Sequence, residues 1–184
     1  MKLHVGCGKR FIPGFTHIDL DDFPHIDHRH DIKTFPFLKD STAELLYSCH
    51  AFEYFDRVEA MTVLKEWKRV LKPGGVIRLA VPDFEALGKV YQQTGELDRI
   101  VGPLFGRIEI KTPQGSSCFY HKTTYDFKAL RSVLEAAGFR DVRRWDWRET
   151  EHTKVDDFSQ AYFPHMDKEK GLLISLNVEA TKAE

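Results

Sequence analysis

The chain has 184 residues and 21.4 kDa, with 42% hydrophobic and 30% charged residues, the balance of a globular protein with one sizeable core. A formal net charge of -1 and a pI near 6.8 exclude a general nucleic-acid binder, and no apolar run reaches the ~18 residues of a membrane span. Three scattered cysteines, Cys7, Cys49 and Cys118, exclude a disulfide framework or zinc ribbon, and with no apolar leader in view they predict a reduced, cytoplasmic setting.

Residues 3–7 read as a short buried strand and residues 15–20 (FTHIDL) as a second, stopped by Asp21 and Asp22. Gly6 and Gly8 close the first strand, where glycine permits positive φ and close approach of backbone to a ligand. Asp19 closes the second, either an acceptor for both ribose hydroxyls of a nucleoside or a strand-end acid facing water. A dinucleotide fold separates these features by a whole helix, with the acid about 20 residues on. Here Gly8 and Asp19 are 11 positions apart, with Pro13 and Gly14 between them. The third glycine that opens a helix onto a pyrophosphate is missing as well.

Residues 26–31 contain a brief third strand closed by Asp31, either an acceptor for an adenine amino group or a turn-forming Asp. His25, His28 and His30 crowd this stretch, but neither His-Glu-x-x-His nor another metalloenzyme spacing occurs. A polar edge strand with no metal is the expectation. Residues 43–49 (AELLYSC) form a nearly continuous apolar run, as in a strand buried on both faces.

Asp56 and Glu59 form a capping box ahead of the clearest helix. Val58, Met61, Leu64, Trp67 and Val70 or Leu71 are its expected apolar stripe, and KPGG at 72–75 stops it. VIRLAVPDF is a fifth strand ended by Pro82, and residues 85–93 are expected to be helical. Residues 95–117 read as loop-rich, and a further helix runs from about 127 to 137 between Asp126 and Gly138. VRRWDWR and LLISLNVEATK are the last strands, with Trp145 and Trp147 expected on one core-facing side. The polar stretch 149–171, carrying Phe158, Tyr162, Phe163 and Pro164, is too long for a passive connection.

This alternation predicts a single α/β domain over residues 1–184 with a mainly parallel sheet. Ligands of such sheets bind beyond the carboxyl ends of the strands. That singles out residues 6–8, Asp19, Asp31, residues 49–53, Pro82 and Asp83.

LHVGCG, HIDLD, HDIKTFPF, LLYSCHAFEYF, WKRVLKPGGVIRLAVPDF and SLNVEATK stand in the order and approximate spacing of class I S-adenosylmethionine (SAM)-dependent methyltransferases. Over nearly its whole length the chain resembles the small bacterial branch with a shortened first helix. The helix–KPGG–strand unit is the most specific element of that likeness. The resemblance implies a Rossmann-like three-layer sandwich with an antiparallel last strand, and substrate-wall insertions at about 95–125 and 149–171.

It also implies SAM as methyl donor and S-adenosylhomocysteine (SAH) as product. Gly6, Cys7 and Gly8 then lie against the methionine part and Asp19 holds the ribose, with Leu20 beside the adenine. Asp31 and Ile32 meet the adenine amino group and ring edge, and Cys49 and His50 stand beside the sulfonium. SAM carries no phosphate, so a third glycine is dispensable. Methyl transfer needs in-line positioning and often a general base. His50 and His121 are the candidates, although Tyr54 replaces the second histidine of the family's Ser-x-His-x-x-Glu-His.

The expected reaction is transfer to an oxygen or nitrogen of a small-molecule or saccharide acceptor. Its rivals are a SAM-binding or regulatory module without catalysis, and an NAD-dependent sugar-modifying oxidoreductase, which the missing third glycine disfavours.

Overall fold

The computed structural model describes residues 1–112 and 115–183. In chain order the elements are β1 (Lys2–Val5), β2 (Phe15–Asp19), β3 (His28–Arg29), β4 (Ala43–Cys49), α1 (Arg57–Val70), β5 (Leu71–Pro82), α2 (Phe84–Thr94) and α3 (Asp98–Phe105). They continue with β6 (Ile108–Thr112), β7 (Gly115–Phe119), α4 (Phe127–Ala136), β8 (Phe139–Arg144), β9 (Tyr162–Phe163), β10 (Leu172–Leu173) and β11 (Ser175–Lys182).

Seven strands form one sheet in the order β3-β2-β1-β4-β5-β11-β8. β1 runs parallel to β2 and β4, and β5 parallel to β4, whereas β11 runs antiparallel to β5 and β8. This is the expected α/β sheet with its antiparallel last strand.

Period-two alternation assigns the two faces of the sheet. Leu3, Val5, Ile18, Leu46, Ile77, Leu79, Leu176 and Val178 bury one face against Ala60, Leu64 and Trp67 of α1 and Leu130 and Leu134 of α4. The alternate residues build a different face: Phe15, Leu45 and Tyr47 pack with Ile12, Trp145 and Val155. That layer comes from the connection between β1 and β2 and from the segment after β8. The chain between β1 and β2 makes turns and no helix, with Gly14 at φ 81°.

The α1 capping box is present in full. Asp56 accepts from the N–H groups of Val58 and Glu59, and the Glu59 carboxylate accepts from the Asp56 N–H. The stripe differs from the expected one: Val58 and Met61 are exposed, and Ala60 and Val63 are buried. At 3.6 residues per turn Val58 falls on the side opposite Trp67, the anchor of the buried face.

Residues 95–117 are not loop-rich as expected; they contain α3, β6 and the start of β7, which pairs antiparallel with β6. α3 forms despite Gly102 and Pro103 because Ile100 and Leu104 pack on Leu87 and Val90 of α2. Tertiary burial overrides the weak local propensity. The last strands are also shorter than expected. β8 ends at Arg144, and Asp146 caps a 3-10 turn that carries Trp147 off the strand, its carboxylate accepting from the Arg148 N–H. Trp145 stays half-buried, donating from Nε1 to the Leu79 carbonyl at 3.1 Å. Residues 149–171 hold a 3-10 turn at Phe158–Gln160 and the strand β9, which pairs with β10. Among the described residues no helix is long and apolar enough to cross a membrane.

Candidate functional site

The carboxyl ends of β1, β2 and β4 converge. Gly6 turns the chain at φ 66°, donating its N–H to the Ile18 carbonyl at 2.9 Å. A Cβ there would lie 2.5 Å from the Ala51 Cβ and 3.3 Å from Ile32 Cδ1. The turn therefore packs on the stretch after β4 and on Ile32 at once. Gly6→Ala adds backbone strain and a clash, and is expected to cost about 2–4 kcal/mol of stability in urea unfolding.

Gly8, at φ 51°, donates its N–H to Asp19 Oδ2 at 2.7 Å. Among the described residues no heavy atom lies within 4 Å of where its Cβ would stand. The Asp21 N–H donates to the other carboxylate oxygen at 2.9 Å. A short connection thus brings together what a whole helix brings together in a dinucleotide fold. An ionised carboxylate offers about four acceptor positions, so two remain for a pair of vicinal hydroxyls.

The adenine-side candidates flank this pair. The His30 N–H donates to the Asp19 carbonyl at 2.9 Å, holding residues 30–32 beside β2. Asp31 accepts from the Lys33 N–H at 2.9 Å, a turn-forming bond, and the Ile32 carbonyl accepts from Trp67 Nε1 at 2.7 Å. Leu20 is half-buried, its carbonyl accepting from Arg29 Nε at 3.1 Å. Cys7 is buried, and desolvation pushes its thiol up to about 12; burial also raises that of Cys49. Neither is poised as a thiolate nucleophile.

His50 and His121, separate in sequence, meet around one carboxyl group. The Lys122 N–H donates to the Glu53 carbonyl at 2.9 Å, and the His121 N–H to the Phe105 carbonyl at 2.8 Å. These bonds clamp the loop after β7 against the turn after β4. Glu53 is 0% exposed, with Oε1 3.7 Å from His50 Nδ1 and 3.5 Å from His121 Nε2. Among the described residues neither of its oxygens has a hydrogen-bond partner. Burial pushes the Glu53 carboxyl up to about 8 and, with a smaller contribution from His121, the His50 imidazole down to about 3. Burial lowers His121 as well.

Sequence reasoning marked both histidines but gave Glu53 no role of its own. The available signal was its place three residues after His50, directly beyond β4. Phe158, from the long segment before β9, covers His50 with ring centroids 5.3 Å apart.

A methyltransferase domain family model matches residues 18–79, the span from β2 into β5. A demethylmenaquinone methyltransferase of Staphylococcus haemolyticus is 30% identical over 92 residues, covering 45% of this chain; the chain spans 36% of that relative's length. Among solved structures, a SAM-dependent methyltransferase of Methanosarcina mazei matches with a TM-score of 0.55 at 16% identity, over 98% of this chain and 91% of that one. A SAM-dependent methyltransferase of Archaeoglobus fulgidus matches with a TM-score of 0.57 at 17% identity, over 98% of this chain and 85% of that one. The structural likeness carries the fold, and the matched segment includes Asp19 at the end of β2 and the turn that holds His50 and Glu53. With that segment set in this strand order, the chain has the fold of the SAM-dependent methyltransferases it is similar to.

Proposed function

We propose that the chain transfers a methyl group from SAM to an oxygen or nitrogen of a small-molecule or saccharide acceptor. The observation that carries this reading is the Gly8–Asp19 hydrogen bond at the ends of two adjacent parallel strands. It provides an acid with spare acceptor positions next to a glycine with open space before it. Gly6, Cys7 and Gly8 would hold the methionine part, Asp19 the ribose, Leu20, Asp31 and Ile32 the adenine, and Cys49 and His50 the sulfonium end. SAM, when bound, supplies a methyl group already activated on a cationic sulfur.

The chain's own residues then orient and shield. Phe158 lies over His50 as one wall of the site, and placing the reactants together is worth roughly 7–11 kcal/mol in favourable cases. His50 and His121 are the groups nearest to hand for the acceptor's proton. Titration calorimetry of the full chain with SAM and with SAH is expected to show saturable one-to-one binding of both. Absence of heat with either ligand, together with no thermal stabilisation, would overturn the reading.

A further inference from the structure

The hydrogen bonds around the two histidines fix where their protons sit. Asn177 Nδ2 donates to the Ser159 carbonyl at 2.9 Å, which leaves Asn177 Oδ1 to accept from the Ser175 hydroxyl at 2.9 Å. Ser175 Oγ, its hydrogen committed, accepts from His50 Nε2 at 3.1 Å. His50 therefore carries its hydrogen on Nε2 and presents the Nδ1 lone pair to Glu53. His121 lies with Nδ1 3.1 Å from the Pro103 carbonyl and 3.3 Å from that of Leu104. Carbonyls only accept, so its hydrogen is on Nδ1, and the Nε2 lone pair also faces Glu53.

Two imidazole lone pairs thus point at one buried carboxyl oxygen. An ionised Glu53 would add a third set of lone pairs with no donor between them. A single proton shared in the cluster removes that conflict.

We propose that His50, Glu53 and His121 form a one-proton cluster, neutral at rest, that receives the proton lost by the methyl acceptor. The proposal rests on the methyltransferase reading. The acceptor atom bonds to the methyl carbon as the carbon–sulfur bond breaks with its electron pair left on sulfur. The acceptor's own proton enters at the Nδ1 lone pair of His50, with the shared proton standing between Glu53 and His121 Nε2. The His50 side chain is the most exposed of the three at 14% against 7% for His121 and 1% for Glu53. Charge stays balanced: the site loses the positive charge of the sulfonium and the cluster gains one. Neutrality at rest also matters for binding, because a cationic imidazole would repel the cationic cofactor.

Glu53 acts here as a positioning residue: as His50 takes the acceptor's proton, Glu53 passes its own to His121 and becomes the counter-charge between the two rings. The other titratable groups around it are Tyr54, stacked edge-on with His121 at 4.7 Å, and Tyr125 and Cys49, all with pKa values raised chiefly by burial. They are neutral near pH 7 and supply no competing charge. Burial pushes Glu53 up and both histidines down, consistent with the shared proton resting on the carboxyl group.

The test is side-chain nitrogen NMR of the histidines in the full chain between pH 5 and 8.5, free, with SAM and with SAH. At pH 7 the free protein should show neutral His50 with Nε2–H and neutral His121 with Nδ1–H. Proton uptake by the cluster should occur about one pH unit higher with SAH than with SAM, since only SAM places a cation nearby. In Glu53→Gln, uptake should move down by at least about one unit, because the amide cannot become an anion. The opposite tautomer at either ring, an imidazolium at pH 7, the same uptake pH with both ligands, or no uptake before unfolding would each overturn the proposal. If Glu53→Gln does not fold, the tautomers and the two ligand titrations of the unaltered chain decide it. Failure of both ligands to bind would instead strike the functional reading, while the tautomers of the free protein still judge the cluster.

Discussion

Asp19→Ala is expected to weaken binding of SAM and SAH by about 100-fold or more, measured by calorimetry at pH 7.5. Hydrogen bonds to a charged acceptor contribute about 1.5–3 kcal/mol each, and on the proposed reading two to the ribose would disappear together. The same substitution removes the acceptor for the Gly8 and Asp21 N–H groups, which loosens the turn that shapes the site. Asp19→Asn separates the two effects. Its carbonyl oxygen still accepts one backbone N–H, so the fold should hold while affinity falls by roughly tenfold, one charge-assisted bond becoming an ordinary one. An unchanged dissociation constant in Asp19→Asn and Asp19→Ala would remove Asp19 from the ribose. Loss confined to the melting temperature, with affinity intact, would reduce it to an anchor for the glycine turn.

The features legible in the sequence were those settled by near neighbours. The α1 capping box needs only Asp56 and Glu59 at the right spacing, and β4 only an apolar run between turns. The Gly8–Asp19 pairing was legible as well, because two strands joined by a tight connection end close together whether or not a helix intervenes. The features that were not legible depend on distant partners. α3 contains Gly102 and Pro103 and exists because α2 offers Leu87 and Val90 to pack against. Glu53 looks like a surface turn residue until the loop carrying His121 folds over it, and no local pattern announces that contact. His4, His17 and Tyr47 occupy alternate positions in β1, β2 and β4, so those strands bury one aliphatic face and one aromatic, histidine-rich face.

That second face predicts acid sensitivity. His4 stacks on Tyr47 at 5.2 Å and meets His17 edge-on at 5.5 Å, while His152 lies against Tyr47 at 4.4 Å. All three are buried, at 1%, 1% and 3% exposure, and burial drives each imidazole below its ordinary value. Charged neighbours modulate this: Asp27 pulls His17 up, Asp157 and Glu151 pull His152 up, and Lys2 and Arg78 push His152 down. Desolvation remains the first cause for every one. A histidine whose folded pKa is depressed stays neutral while the unfolded chain takes up protons below about pH 6.5. Its contribution is complete above that pH and is lost as the pH falls, by about 1.4 kcal/mol per pH unit for each ring that stays neutral. His50 adds to the loss. Glu53 works in the other sense: its folded pKa of about 8 lies above that of the unfolded carboxyl, so falling pH returns stability between about 8 and 4.5. Several histidines outweigh one carboxyl, so urea unfolding midpoints should fall steeply from pH 7.5 to 5.5. His4→Phe keeps the stacked ring and removes one titrating group, and should recover about 1 kcal/mol of the pH 5.5 loss relative to its own value at pH 7.5. Equal midpoints at the two pH values, or a His4→Phe variant with the unaltered chain's full acid loss, would show that these rings are protonated in the folded protein.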